Sequence, residues 1–459
     1  MMKRYLVLLI LALTCISPSQ AMIQPKIIKT PGGLTAWYAY DPKTPVIAIN
    51  FAFRGGARLD PAGKAGLSSF AAGILDSGTM NRDPKDFDAY KQDYAIQMGF
   101  SADSDQLGGA LATLVPDKDK AFDLLHEVLA TPRLKDDIFQ IIMNQAKISL
   151  ANVANEPSYL AGRKLQTMLF PNHPYRYPSE GLPETIDKIT LKDVESFLKE
   201  NLSKDRLVIS VTGNISEGDA ITALDKIFGS LPEKSAKPVD NQVKPVIDGS
   251  TEIIDMKIPQ SMIYFVLPGI TYDDPDFLKA ALLMHIMGEE QSSRLFREVR
   301  EKNGLAYAVS STMVWMQDTG YIIGMVGTTK AKADQSMNIV KHEWAHLKKD
   351  GITAEELENA KTFMLHSYPL HFRNSSGISK ILLGYQLFHR PVDYFQKREA
   401  LIKAITLKEM NDFIARVIEP AKLTFVVVGR PDQAPALDIP SDVKKEPAIP
   451  ESPVETKKA

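Results

Sequence analysis

The chain has 459 residues, a formal net charge of −2 and a hydrophobic share of 44%. That share supports packed cores, while a near-neutral, evenly spread charge excludes the basic footprint of a nucleic-acid binder. The one cysteine, Cys15, excludes a disulfide scaffold.

Lys3 and Arg4 precede an apolar run from Leu6 to Leu13, and Ser19 and Ala21 place small residues at the −3 and −1 positions. Residues 1–21 therefore read as a secretory signal peptide, too short for a bilayer span. A buried N-terminal strand is the alternative. A lipid anchor on Cys15 is another, although Leu13-Thr14 fits a lipidation box poorly. No later stretch reaches the roughly 18 apolar residues of a membrane span. After cleavage the chain is expected off the membrane, in a periplasm or, alternatively, secreted, and without cysteine.

The first domain is expected over residues 22–231. Val46–Phe53 alternates as a strand, and Gly66–Leu75, Asp117–Leu129 and Ile138–Asn155 read as helices. Asn155-Glu156-Pro157 turns into an amphipathic helix that closes at Leu169-Phe170. Residues 189–213 (ITLKDVESFLKENLSKDRLVISVTG) open a helix on Thr190 and end a β-branched strand at Gly213. Residues 232–250, with three prolines and no periodicity, read as a linker. The second domain, 251–432, starts with a strand at Ser261–Leu267 and a helix opened by Asp274-Pro275 and running through Met287. The tail, 433–459, is rich in Pro, Lys and Glu and reads as disordered.

The two domains are a duplication. Residues 405–429 (ITLKEMNDFIARVIEPAKLTFVVVG) align with 189–213 without a gap, at eight identical positions. Asn374 through Phe388 likewise resembles Asn155 through Phe170. Strands that return after helical hairpins predict an α+β fold of two homologous domains, each an antiparallel sheet with helices packed on one face.

Gly55–Thr79 (GGARLDPAGKAGLSSFAAGILDSGT) resembles the signature of the pitrilysin/insulinase metallopeptidases, which include the mitochondrial processing peptidase. The resemblance extends through the Asn-Glu-Pro turn, Phe170–Tyr175 and the second half, and implies that family's LuxS/MPP-like fold. In the family this helix carries His-x-x-Glu-His, the inverted zinc motif. Aligned on Gly66-Leu67 and Gly78-Thr79, the three positions fall on Ser69, Ala72 and Gly73. None of these is a zinc ligand or a general base. The resemblance places a third, glutamate ligand on the helix Ile138–Asn155. That segment holds no Asp, Glu or His, and Ser149 or Leu150 stands at the matching position.

Ser292–Tyr307 (SSRLFREVREKNGLAY) is similar to the family's second-half signature, in which an Arg and a Tyr seven residues later reach across to a zinc site. By position these are Arg300 and Tyr307, both able to donate to a peptide carbonyl as it becomes an oxyanion. From residue type alone, Arg300 is equally a solvated residue before an Asn303-Gly304 C-cap, and Tyr307 a packing residue.

His342-Glu343-Trp344-Ala345-His346 is a literal His-Glu-x-x-His. Met337, Val340, Trp344 and Leu347 form the apolar side of that helix, so both histidines fall on the opposite, solvent-facing side.

The expectation is a subunit that is not an enzyme on its own and carries no cofactor. It would bind unfolded peptide and donate Arg300 and Tyr307 in trans to a catalytic pitrilysin-like subunit that holds zinc. The alternatives are a self-sufficient zinc peptidase using His342, Glu343 and His346, and a peptide-binding scaffold with no peptidase partner.

Overall fold

The computed structural model describes residues 24–236 and 243–429. The stretch 1–21 read as a signal peptide, with Cys15, part of the stretch read as a linker and the tail 433–459 lie outside the described residues.

Two sheets follow one another along the chain. The first comprises β1 (Lys26–Lys29), β2 (Thr35–Tyr40), β3 (Val46–Arg54), β4 (Gln97–Ala102), β5 (Gln106–Leu114) and β6 (Leu207–Gly213). Its order is β1-β2-β6-β3-β5-β4. The second comprises β7 (Thr251–Ile254), β8 (Gln260–Pro268), β9 (Ala306–Trp315), β10 (Gly320–Thr329) and β11 (Thr424–Val428), in the order β7-β11-β8-β10-β9. Without β1, the two orders are identical. In each sheet one pair is parallel, β2 with β6 and β7 with β11, and the remaining pairs are antiparallel.

The repeat is local chemistry as well as topology. Thr190 and Thr406 cap the helices Leu191–Asn201 and Leu407–Val417, each through a reciprocal box with Asp193 or Glu409. Each sheet also sets a glycine opposite a phenylalanine, Gly109 against Phe51 and Gly324 against Phe265. A methyl group on either glycine would meet the ring at 2.3 or 2.0 Å, so the ring lies across the neighbouring strand only because that strand has no side chain there.

Alternation sorts each strand between two layers. Ile47, Ile49, Phe51 and Phe53 of β3 enter the core built from the first half's own helices, as Ile263, Phe265 and Leu267 of β8 do in the second. The opposite faces are covered by exchange. The first half's helix Pro157–Leu169 lays Ala161, Leu165 and Leu169 on Val266, Val426 and Val428 of the second sheet. The second half's helix Ser375–Leu387 lays Ile378, Leu382 and Tyr385 on Trp37 and Ala39 of the first. Hydrogen bonds fix this second contact. Ser210 and Ser379 hydroxyls each donate to the other's carbonyl, at 2.7 and 3.1 Å, and Arg54 donates to the carbonyls of Gln386 and Leu387. A guanidinium on a helix C-terminus satisfies carbonyls that have no partner inside the helix.

A compact polar cluster also crosses between the halves. The Arg58 guanidinium reaches Asp318 of the second half and the Tyr175 hydroxyl, while Tyr175 donates to Asp105. Asp105 in turn accepts from the Gln317 amide at 3.0 Å. Burial raises the Asp105 carboxyl, against the Tyr175 hydrogen bond.

Two segments differ from expectation. The helix after β8 starts at Phe277, because the Asp274 carboxylate takes the Asp276 amide in a turn of its own. Of the stretch read as a linker, Val243 and Ile247 pack into the apolar layer beneath helix Pro157–Leu169.

The helix Leu67–Leu75 begins at Gly66, whose amide donates to Asp60 at 2.8 Å, and the Ser68 amide donates to the same carboxylate at 2.9 Å. Burial pushes the Asp60 carboxyl up to about 7, and these amide hydrogen bonds only partly oppose it. The unfolded-chain value is about 3.9. The folded chain thus holds this proton more tightly, and the stability it contributes is complete below about pH 4 and lost as pH rises through about 7. Between pH 5 and 8 the melting temperature of the wild type should fall relative to that of Asp60→Asn. Parallel profiles in a thermal-denaturation series would refute the assignment. For the exchanged helix, Leu382→Ala should cost about 2–5 kcal/mol in denaturant unfolding. Because Leu382 sits on the other half's sheet, both halves should lose stability in one transition rather than separately.

Candidate functional site

Helix Leu67–Leu75 packs across the helix Asp136–Val153, with the Phe70 and Phe139 rings 5.9 Å apart. Helix Pro157–Leu169 and the loop through Glu180 complete a cavity of about 580 Å³ beside them. Ser69 lines this cavity from one side, and Ser149 and Leu150 line it from another. The structure thus brings together the first of the three degenerate motif positions and both candidates for the distant third ligand. The Ser69 hydroxyl is engaged, donating to the Ser179 carbonyl at 2.7 Å. Ala72 is buried within the packed helix, and Gly73 approaches the Ile142 side chain.

The remaining wall is largely apolar, with Phe70, Ile142, Ala146 and Val153. Glu180 is its one carboxylate, and it contains no histidine. Desolvation raises the Tyr159 phenol and lowers the Arg163 guanidinium at the edge. Arg163 is already committed, donating to the Arg176 carbonyl at 2.8 Å. A catalytic zinc ion needs three protein ligands of imidazole, thiolate or carboxylate type and a base beside its water. A hydroxyl, a methyl and a bare backbone do not fit that ion. Among the described residues, no three His, Cys, Asp or Glu side chains converge at metal-holding spacing.

Arg300 and Tyr307 do not line this cavity. Arg300 lies in a widened, π-type turn, Phe296–Lys302, with its exposed guanidinium over the Phe296 ring at 4.8 Å. Such turns displace a side chain from the regular helical surface and are frequent at functional positions. Asn303 and Gly304, with φ +57°, end the turn. Tyr307 stands near the start of β9, 48% exposed, its hydroxyl 3.2 Å from Met262 Sδ on β8. Its ring lies over Gly327, leaving no room there for a side chain.

His342 and His346 lie on the exposed side of helix Ala333–Asp350, while Val340, Trp344 and Leu347 are fully buried. Glu343 is buried beneath them and bonded to His342 at 3.2 Å. His173 accepts from the Tyr175 amide at 3.2 Å and packs against the Phe170 and Tyr175 rings, ordering its loop.

Sequence reasoning missed Arg58, Asp105 and Asp318, and the carboxyl at Asp60. Arg58 and Asp60 sit within the signature stretch itself, but no local spacing points from Arg58 to Asp318. Only the turn residues around Asp105 (Ser101-Ala-Asp-Ser-Asp) mark a hairpin tip, and they do not name its partner.

Residues 188–364 match the family described as the peptidase M16 inactive domain. The chain is 27% identical to a "Non-peptidase homolog YmxG" of Helicobacter pylori, over 93% of this chain and 99% of that protein. It is 29% identical to an "Uncharacterized zinc protease YmxG" of Bacillus subtilis, over 54% and 60% of the two chains. The fold superposes on a peptidase M16 inactive domain from Pseudomonas fluorescens with a TM-score of 0.85 at 23% identity, covering 90% of this chain and all of that one. It also superposes on a protease from Helicobacter pylori with a TM-score of 0.81 at 19% identity, covering 89% of this chain and all of that one. With the duplicated fold and the signature stretches, the chain is similar to the pitrilysin/insulinase-type peptidase M16 family, its residues 188–364 to that family's inactive domain, and it lacks the His-x-x-Glu-His motif.

Proposed function

We propose that this chain is the non-catalytic partner subunit of a two-subunit zinc peptidase in the periplasm. In this reading it binds unfolded peptide and presents Arg300 and Tyr307 to the partner's active site. One observation carries it: the first position that corresponds to a zinc ligand of the family, Ser69, and both candidates for the distant one, Ser149 or Leu150, line one cavity, with Gly73 at the second position packed against Ile142, on an otherwise complete fold. Arg300 is exposed and Tyr307 is 48% exposed, so both keep a polar group turned toward solvent. A guanidinium and a phenol at the surface are available to a second molecule, where both would donate hydrogen bonds to the carbonyl oxygen of a bound peptide. Such donors gain strength as negative charge develops on that oxygen. The name of the Helicobacter pylori relative, a non-peptidase homologue, supports a chain without its own peptidase activity.

The self-sufficient alternative draws little from the structure. Glu343 is packed under the helix rather than facing a water held between His342 and His346, and both rings are open to solvent.

The test is co-expression with a relative that bears an intact inverted motif, followed by assay of unfolded-peptide cleavage. The chain alone should be silent and the pair active. Arg300→Ala should lower kcat of the pair by about 100-fold without preventing assembly, the usual cost of removing one oxyanion donor. Tyr307→Phe should lower it in the same direction, with KM less affected. Undiminished turnover in both variants would refute donation in trans. A chain that binds unfolded peptide but forms no pair with any such relative would instead be a scaffold.

A further inference from the structure

The proposed role leaves His342 and His346 unused, yet their surroundings are organised. The two rings lie one helical turn apart, with planes 9° from parallel and centroids 6.1 Å apart. Their side chains are 60% and 49% exposed. Each ring is held by a carboxylate, His342 Nδ1 at 3.2 Å from Glu343 Oε1 and His346 Nε2 at 3.2 Å from Asp350 Oδ2.

Glu343 is the unusual member. Its side chain is only 9% exposed, and His342 is its one hydrogen-bond partner among the described residues. Placing a carboxylate under a helix is costly unless a partner offsets it. Here the partner is an imidazole whose far nitrogen opens on water. A proton on His342 Nδ1 facing Glu343 leaves the Nε2 lone pair pointing outward, and a proton on His346 Nε2 facing Asp350 leaves Nδ1 free. Metal-ligating histidines are oriented in this way, with the non-ligating nitrogen donating to a carboxylate.

Two of the three neighbouring lysines are engaged elsewhere, while Lys349 stays exposed on the histidine side. The Lys341 amine sits 5.3 Å from the centre of the Phe425 ring, and the Lys348 amine donates to the Ala415 carbonyl, so both are drawn away from the pair.

We propose that His342 and His346 form a two-histidine surface site for a transition-metal dication such as copper(II), zinc or nickel. Glu343 and Asp350 would accept from the non-ligating nitrogens, and water fills the remaining positions. Imidazole suits these ions, whereas calcium and magnesium require oxygen ligands. Reorientation of exposed side chains within nanoseconds lets both free nitrogens reach one ion. With two protein ligands, no enclosing cavity and no base poised over the metal, the site is structural or regulatory rather than hydrolytic. It stands independently of the partner-subunit reading.

The experiment titrates untagged, metal-free full-length chain with copper(II) chloride and separately with zinc chloride by calorimetry. One equivalent should bind. His342→Ala and His346→Ala, both at exposed positions, should each weaken affinity at least tenfold. Glu343→Gln should weaken it by about 10- to 100-fold while keeping the side-chain volume. His389→Ala, on a separate pair with Asp273, should bind as the wild type does. No binding by the wild type, or unchanged binding by the double His342→Ala, His346→Ala variant, would overturn the site. Peptide cleavage by the metal-loaded chain alone, abolished by His346→Ala, would overturn its non-hydrolytic character.

Discussion

The architecture depends on one reciprocal contact: each half covers the open face of the other half's sheet with a helix. A sheet with one apolar face bare to water would be unstable and prone to association. Neither half carries the covering helix for its own sheet in place, since Pro157–Leu169 lies on Val266, Val426 and Val428, and Ser375–Leu387 lies on Trp37 and Ala39. The two halves are therefore one stability unit, although their strand orders show that each began as a complete motif. The Ser210–Ser379 pair and the Arg54 cap supply direction where apolar burial supplies only area. The Arg58 cluster adds a second, polar registration point between the halves.

The helix that aligns with the family's metal-binding segment is closely packed. An ion-binding pair of histidines and an acidic base must stay solvated or charge-compensated, which limits how closely other helices approach. Ala72 is instead buried, Gly73 lets Ile142 close in, and the Ser69 hydroxyl is satisfied by a backbone carbonyl. Asp60 still accepts the amides at the start of the same helix. The scaffold that would position a metal is thus maintained by backbone capping and apolar contact, neither of which needs the ion.

The duplication was legible because it is written in local chemistry. Thr190 with Asp193 and Thr406 with Glu409 are capping boxes readable from spacing alone, and the strands they lead into end at glycine in both halves. Helical periodicity likewise set His342 and His346 on the solvent side. What periodicity cannot supply is the identity of a distant partner. It marks Leu382 and Leu165 as apolar-face residues without saying that each faces the opposite half's sheet. It gives no reason to join Arg58 to Asp318, or Arg54 to the carbonyls of Gln386 and Leu387. The parallel pairs were missed for a related reason, since short apolar strands read alike in either direction.

Arg300 and Tyr307, the residues proposed to act on a partner's substrate, are positioned by the second half. Arg300 is displaced by a π-type turn, an irregularity that packing of Val299 and Leu295 into the second core tolerates but does not require. Tyr307 is held from below by Gly327 and Met262 on neighbouring strands, so its ring direction is set by the sheet rather than by solvent. Both residues belong to the same half as helix Ser375–Leu387, which packs on the first half's sheet. A partner docking on one half would therefore meet the other in a fixed relation, because exchanged helices and the Arg58 cluster leave little freedom for one half to move alone. Division of labour between two chains needs that rigidity, since hydrogen-bond donors contribute to a reaction in another molecule only when their own positions are already set.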